Sequence, residues 1–231
     1  LAFMTTLSIG NLKDHIFALA ERTPEKPALV SCNQEGETEK IYTYKDLKDE
    51  IIKVANWFQN GLGLKKGDVL GLALPNSVEL LIFSWAAWAI GIATVPFDLR
   101  RDTFSQYLYK ISLTHPRALV VSGQTFKEDE MQELKRILNV IELQKFQAMP
   151  ASEQSVAWQD GISHSSLILF TSGTTGFPKG AELTLENLLV NAEGIKNWFE
   201  IGDRDRFLVL LPLYHVNSTT FCLASLLAGA S

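Results

Sequence analysis

Several features that would assign a function class outright are missing from this sequence. Its 231 residues hold only two cysteines, Cys32 and Cys222, far apart and without a CxxC or Cys/His spacing suited to a metal. That usage argues against a disulfide framework and for two buried thiols in a reducing compartment. No block of lysine and arginine stands out and the net charge is −5, so no continuous basic surface is offered to nucleic acid. The opening "LAFMTTLSIG" lacks the basic start and sustained apolar run of a signal peptide, and a cytoplasmic protein is expected. It also lacks a starting Met, which suggests an artificial or processing boundary there. No apolar run of about 20 residues goes unbroken, so no transmembrane segment is expected. "LLIFSWAAWAIGIATVPF" (80–97) is interrupted by Ser84, Gly91, Thr94 and Pro96, and residues 207–231 by Pro212, His215, Asn217, Thr219 and Thr220. Two nucleotide fingerprints are absent as well. There is no GxGxxG, and GxxxxGK[ST] fails because Pro178 stands five residues after Gly173 and Gly180 follows Lys179.

What is present is a soluble globular composition, 46% hydrophobic and 20% charged. Helix-like and strand-like periods alternate. A helix over 11–22 precedes the short apolar strand "ALVSC". Thr43 and Asp46 form a capping box, opening a helix that puts Leu47, Ile51, Val54, Ala55 and Phe58 on one stripe before Gly61 and Gly63. Strands are expected at 69–74, 92–96 and 118–121, with helices at 78–90, 103–112 and 125–138. The polar connection 144–165 is the best internal boundary, separating a first α/β subdomain (1–143) from the region 166–231. Beyond it come a strand at 166–170, a Gly/Thr loop, and a brief strand at 181–183. A helix capped by Thr184 follows, with Leu185, Leu188, Leu189, Ala192 and Ile195 on one face, then a strand at 207–211 and an apolar helix. This order predicts an α/β fold of layered, mostly parallel sheets with helices on both faces.

The loop "TSGTTGFPKG" (171–180) carries three Thr, one Ser, three Gly, one Pro and one Lys. Gly173, Gly176 and Gly180 free the backbone to turn amides inward, forming a concavity that suits phosphate oxygens. Thr171, Ser172, Thr174 and Thr175 add hydroxyl donors, and Lys179 adds a flexible cation. Composition alone leaves two readings open: a phosphate cradle, or a polar hairpin loop in which Gly and Thr only make turns.

The order of these residues resembles the signature loop of the adenylate-forming superfamily, which includes acyl-CoA synthetases, firefly-type luciferases and peptide-synthetase adenylation domains. "YTYKDL", "GLKKGDVLGLALPNSVELL", "AIGIATVPFD" and "LPLYHVNS" follow the same family's blocks in order. The resemblance implies an AMP-forming acid–thiol ligase that joins a carboxylic acid to coenzyme A through an acyl-adenylate, with ATP and Mg. It implies that Thr171, Ser172, Gly173, Thr174, Thr175, Gly176 and Lys179 hold the ATP phosphates and that His215 lines the acyl or pantetheine route. It also implies an incomplete amino-terminal domain, since the Tyr-Gly-x-Thr-Glu block, the Thr-Gly-Asp block and the principal catalytic Lys are expected beyond residue 231. An adenylation domain serving a carrier protein and a non-catalytic nucleotide-binding module are the alternatives. Two departures bear on substrate: Leu185 stands where the family has a His, and "FDLRRD" (97–102) replaces a Pro-Leu-Asn-Pro type of turn.

Outside these blocks the expectations are structural. His15, His115 and His164 are read as structural or solvated, and Trp85 and Trp88 as core. "RRD" (100–102) and "DRDR" (203–206) are read as solvated turns with local ion pairs worth under about 1 kcal/mol each. Residues 1–143 are expected to build their own core, whereas 207–230 should show an open edge, an uncovered apolar face and a tendency to self-associate.

Overall fold

In the chain's amino-terminal part, polar residues start the helices and apolar spacing decides which face they bury. The computed structural model describes residues 10–33, 35–123, 125–147, 155–171 and 178–231. Asn11 caps α1 (Leu12–Arg22) by accepting the Asp14 amide, and the helix buries Leu12, Ile16 and Leu19. An antiparallel hairpin of β1 (Pro27–Cys32) and β2 (Thr38–Thr43) follows as a separate two-stranded sheet. The expected capping box opens α2 (Tyr44–Asn56): Thr43 Oγ1 accepts from the Asp46 amide at 3.1 Å, and Asp46 Oδ2 from the Thr43 amide at 2.9 Å. The predicted stripe of Leu47, Ile51, Val54, Ala55 and Phe58 is buried throughout, and the helix runs on into a wider π turn at Trp57–Gly61.

The main sheet comprises β3 (Val69–Ala73), β4 (Ala93–Pro96), β5 (Ala118–Val121), β6 (Asn139–Glu142), β7 (Ser165–Thr171) and β8 (Lys179–Thr184), in the order β6-β5-β3-β4-β7-β8. The ladders from β6 through to β7 are parallel, and β8 folds back antiparallel on β7. Between the strands run α3 (Val78–Ala89), α4 (Phe104–Thr114), α5 (Glu128–Ile137) and the short α6 (Leu143–Gln147), with α7 (Leu185–Trp198) and α8 (Val216–Ala228) after β8. Strand alternation divides the core in two. Leu70, Leu72, Ala118, Val120 and Leu167 pack with α1, α2, α3, α7 and α8, while Ala73, Val95, Leu119 and Val121 pack with α4 and α5. The expected arrangement of helices on both faces of a largely parallel sheet is therefore present. Strands from either side of the connection 144–165 share that sheet.

Trp85 and Trp88 lie in the core, as expected. The Trp88 indole donates to Thr94 Oγ1 at 3.0 Å, and that hydroxyl donates to the Ser166 carbonyl at 3.2 Å. These bonds stitch β4 to β7, whose ladder is registered at Thr94 and Leu167. In the middle of β3, a Cβ on Gly71 would stand 2.7 Å from Leu119 Cδ1 and 3.2 Å from Phe97 Cε2, so the absent side chain lets both lie on the strand.

Several expectations are corrected. Residues 207–211 form no strand among the described residues: with no neighbouring strand on either side, their backbone has no ladder to join. Cys32 is exposed near the end of β1, and only Cys222 is buried. The uncovered apolar face lies mainly in residues 207–211, with Leu208 77% and Leu210 78% exposed, because α8 packs against α7 and α1 and buries Cys222, Leu223, Ala224 and Leu226. The "RRD" segment is not simply a solvated turn, because Asp102 is buried against Lys110. No helix among the described residues is long and apolar enough to cross a membrane.

Candidate functional site

The carboxyl ends of parallel strands form a natural crevice, because each chain turns away from the sheet there and leaves backbone amides and short loops exposed. Thr171 ends β7 at this edge and Lys179 begins β8 directly opposite, the two being registered partners. Thr171 Oγ1 donates to the Lys179 carbonyl at 3.4 Å. Both residues are exposed, and Lys179 forms no ion pair with a carboxylate among the described residues. The hairpin mouth thus presents a hydroxyl and a cation side by side. Ser172, Gly173, Thr174, Thr175 and Gly176 lie outside the described residues.

The adjoining strand ends carry polar groups that composition did not reveal. After β3, Asn76 donates through Nδ2 to the Leu211 carbonyl at 2.9 Å and accepts the Leu213 amide through Oδ1 at 2.8 Å. One amide side chain therefore does the work of a strand partner for the segment leading to His215. Thr219 Oγ1 donates to the Leu213 carbonyl at 3.0 Å, closing that segment from the α8 side. His215 is the exposed N-cap residue of α8, and its ring lies 4.9 Å from the Tyr214 ring.

After β4, Asp98 organises the turn. Its carboxylate accepts the Arg100 and Arg101 amides at 2.9 and 3.1 Å, and its carbonyl accepts the Tyr107 hydroxyl at 3.1 Å. Burial and the negative charge of the nearby Asp98 carboxylate raise the Tyr214 phenol above its ordinary pKa. Asp102 accepts the Asp98 amide at 3.2 Å and pairs with Lys110 Nζ at 2.5 Å, with both side chains more than nine-tenths buried. Lys110 also lies 5.1 Å from the centre of the Phe170 ring, one residue before Thr171. Asn76, Asp98 and Lys110 were not legible as a group in the sequence, because the partners that join them to other segments lie 8 to 137 residues away. The lone Lys110 inside an otherwise helix-stripe segment was the one available signal.

The remaining histidines take the structural roles expected. His164 Nε2 is 2.8 Å from the Trp88 carbonyl at the far end of β7, and His15 Nε2 is 3.2 Å from the Leu226 carbonyl; burial holds both below the ordinary histidine pKa. His115 caps α4 in the left-handed conformation. A separate cavity of about 790 Å³ opens between β1, the start of α3 and residues 206–213, lined by Val30, Leu81, Trp85, Phe207 and Leu213 among others. Thr171, Lys179 and His215 do not line it. Among the described residues no group of three or more His, Cys, Asp and Glu is gathered for a metal.

Comparison with known proteins places this geometry in context. The model of the family described as "AMP-binding enzyme" matches residues 16–231. A 2-succinylbenzoate–CoA ligase of Bacillus licheniformis is 26% identical over 211 residues, covering 91% of this chain and 42% of the relative. An oxalate–CoA ligase of Arabidopsis thaliana is 29% identical over 227 residues, covering 92% and 43%. The chain thus spans about two-fifths of the length of these curated relatives. Among solved structures, o-succinylbenzoate coenzyme A synthetase of Bacillus subtilis, in complex with ATP and magnesium ion, superposes with a TM-score of 0.79 at 21% identity, covering 94% of this chain and 55% of that one. The inhibitor-bound N-terminal domain of FACL13 from Mycobacterium tuberculosis gives 0.81 at 23% identity, covering 96% and 56%.

Proposed function

Given that this chain belongs to the AMP-binding enzyme family, we propose that its parent protein is an ATP-dependent acid–thiol ligase. The carboxylate of an acid substrate attacks the α-phosphorus of ATP, forming an acyl-adenylate and releasing pyrophosphate. The thiol of coenzyme A then attacks the acyl carbon and AMP leaves. The observation that carries this reading is the exposed Thr171–Lys179 pair at the carboxyl edge of the parallel sheet, in a chain whose family model runs through it.

A carboxylate is a weak nucleophile, so the rate depends on alignment and on charge offset at the departing pyrophosphate. Thr171, Ser172, Gly173, Thr174, Thr175 and Gly176 hold the β- and γ-phosphates in this proposal. Lys179, facing Thr171 across the hairpin, offsets the negative charge that accumulates as the bond to pyrophosphate breaks. Magnesium bound with ATP would supply further charge neutralisation. His215 borders the acid's path. The chemical identity of the acid is left at the class of carboxylic acids, since the similar proteins act on acids as different as oxalate and succinylbenzoate. A cytoplasmic location and self-association belong to the same proposal. The first is supported by two unbridged thiols and the second by exposed Leu208, Leu210 and Leu211.

The test is Lys179→Ala in the full-length parent. The expected result is an adenylation rate constant about 100-fold lower with a smaller change in ATP affinity, read by pre-steady-state formation of acyl-AMP. An unchanged rate constant with only a raised KM for ATP would show uniform binding and refute the transition-state role.

A further inference from the structure

The cavity of about 790 Å³ has no part in the candidate site, and the hydrogen bonds beside it point to what it receives. Ser231 donates its amide to the Asp205 carbonyl at 3.2 Å, and its own carbonyl accepts the Phe207 amide at 2.7 Å. This reciprocal pair, reaching one residue to either side of Arg206, is the repeating bond pattern of a parallel ladder, with Arg206 and Ser231 as partners. Arg206 Nε also donates to Ser231 Oγ at 3.0 Å, as partners on one face can. Between residues 207–211 and Ser231 runs α8, a crossover helix of the kind that joins neighbouring parallel strands.

We infer that the polypeptide following Ser231 in the parent protein lies along this cavity as a strand, parallel to residues 207–211 and joined to them through α8. Only continuation of the parent past Ser231, which the ligase reading supposes, is required; none of the ligase chemistry is. Arg206, Phe207, Leu210, Leu213 and Ser231 all line the cavity, so a chain leaving Ser231 in register with 207–211 enters that space and runs along it. The apolar run "FLVLL" has the composition of a strand and is extended, yet among the described residues the amides of Leu208, Val209, Leu210 and Leu211 donate no hydrogen bond. An open row of this kind is a template for another strand. A small molecule could fill the volume, but it could not satisfy backbone groups spaced along a strand. Asn76 sets the far limit. Its Nδ2 already occupies the Leu211 carbonyl, so the ladder has room for about five residues counted from Ser231. The strand pairs the backbone edge of the run and leaves the outward side chains of Leu208 and Leu210 at the surface.

The experiment measures hydrogen–deuterium exchange, amide by amide, in the unmodified full-length parent. Along an extended chain Val209 and Leu211 point their amides to the same side as Phe207, so both are expected to exchange roughly 100-fold or more slowly than unstructured amides. Fast exchange at both, in a parent whose α8 amides are protected, overturns the inference. A second measurement fixes the register. In a Cys32→Ser background, Leu208→Cys is combined with a cysteine at the second residue after Ser231 or, separately, at the third. Partnership of Arg206 with Ser231 puts Leu208 beside the second residue on one face and turns the third to the other face. The expected result is a disulfide within one chain, at least about tenfold more abundant in the first combination than in the second, read by peptide mapping after mild oxidation. Equal yields, or no disulfide in either, overturn the inference. So does a disulfide joining two chains, which would seat a second copy on the run. ATP–pyrophosphate exchange measured on the same protein keeps the two readings apart: its absence beside protected amides and the expected disulfide refutes the ligase and leaves the strand in place.

Discussion

Two apolar stretches of similar character meet opposite fates. "VELLIFSWAAWA" becomes α3, buried on every side, with Trp85, Ala86, Ala87 and Trp88 at most 1% exposed. "FLVLL" (207–211) stays extended, and Leu208 and Leu210 face outward. Its backbone is held near its ends, where the Phe207 amide donates to the Ser231 carbonyl at 2.7 Å and the Leu211 carbonyl accepts from Asn76. Hydropathy therefore marks a demand for burial without naming who meets it. A helix satisfies its own backbone and needs only side-chain neighbours, which α2 and the sheet supply to α3. An extended segment needs a backbone partner as well.

The sharpest way to break the contrast is to hollow out its buried half. Trp88→Ala removes a fully buried indole and the bond to Thr94, and is expected to cost about 3–5 kcal/mol, lowering the melting temperature by roughly 10 °C. Calorimetry showing a loss below about 1 kcal/mol would mean that α3 is far less tightly packed than described. Next in size is the buried ion pair. Lys110→Met strands the Asp102 carboxylate and should cost about 3 kcal/mol, whereas joining it with Asp102→Leu should recover most of that loss in urea unfolding. Equal costs for the single and double variants would show that packing, not charge, dominates there.

Alkaline titration should produce a smaller, graded effect. Burial pushes the Cys222 thiol from 9.0 up to about 12, and raises the Tyr44 and Tyr107 phenols. The unfolded chain ionises first, so the stabilisation is complete below pH 9 and declines as pH climbs towards 12. Cys222→Ala should flatten that decline in thermal melts followed from pH 8 to 11, and an unaltered slope would show that the thiol does not contribute. The smallest stability effect belongs to the exposed half of the comparison. Leu208→Lys with Leu210→Lys should change unfolding free energy by less than about 0.5 kcal/mol yet reduce self-association in light scattering. A large destabilisation would place these side chains in a packed interface.

The sequence exposed much of this fold because most elements bury a periodic face. The α2 stripe, the α3 run and the strands at the sheet centre all have unambiguous apolar spacing. What it concealed are the edges. In β2 the pattern buries Tyr42 alone and in β6 Ile141 alone, so neither carries a readable alternation. Residues 207–211 have the pattern but not the neighbour. For the site, Thr171 and Lys179 were legible as chemistry in a Gly-rich order, and the structure sets them opposite each other across a hairpin. Asp102 looked like a surface turn because a local string "RRD" shows nothing of Lys110 arriving from the next helix. Asn76 was hidden for the same reason: it acts on a partner brought near only by the fold.

Gly71 gives that sheet an unexpected reach. Its bare α-carbon allows Phe97 to settle onto β3, and Phe97 immediately precedes Asp98 while stacking on Tyr107, whose hydroxyl is tied to the Asp98 carbonyl. The clearance above one glycine therefore acts as a spacer that sets how far the β4 turn stands off the strands. A methyl group there would find Leu119 within 2.7 Å, where the end of a side chain can rotate aside, and Phe97 within 3.2 Å, where a stacked ring has less freedom to yield. Part of the resulting displacement would be carried along the chain to Asp98 and the turn that it organises. The alignment of a surface crevice is in this way adjusted from the middle of the core, at a residue that has no side chain with which to touch anything.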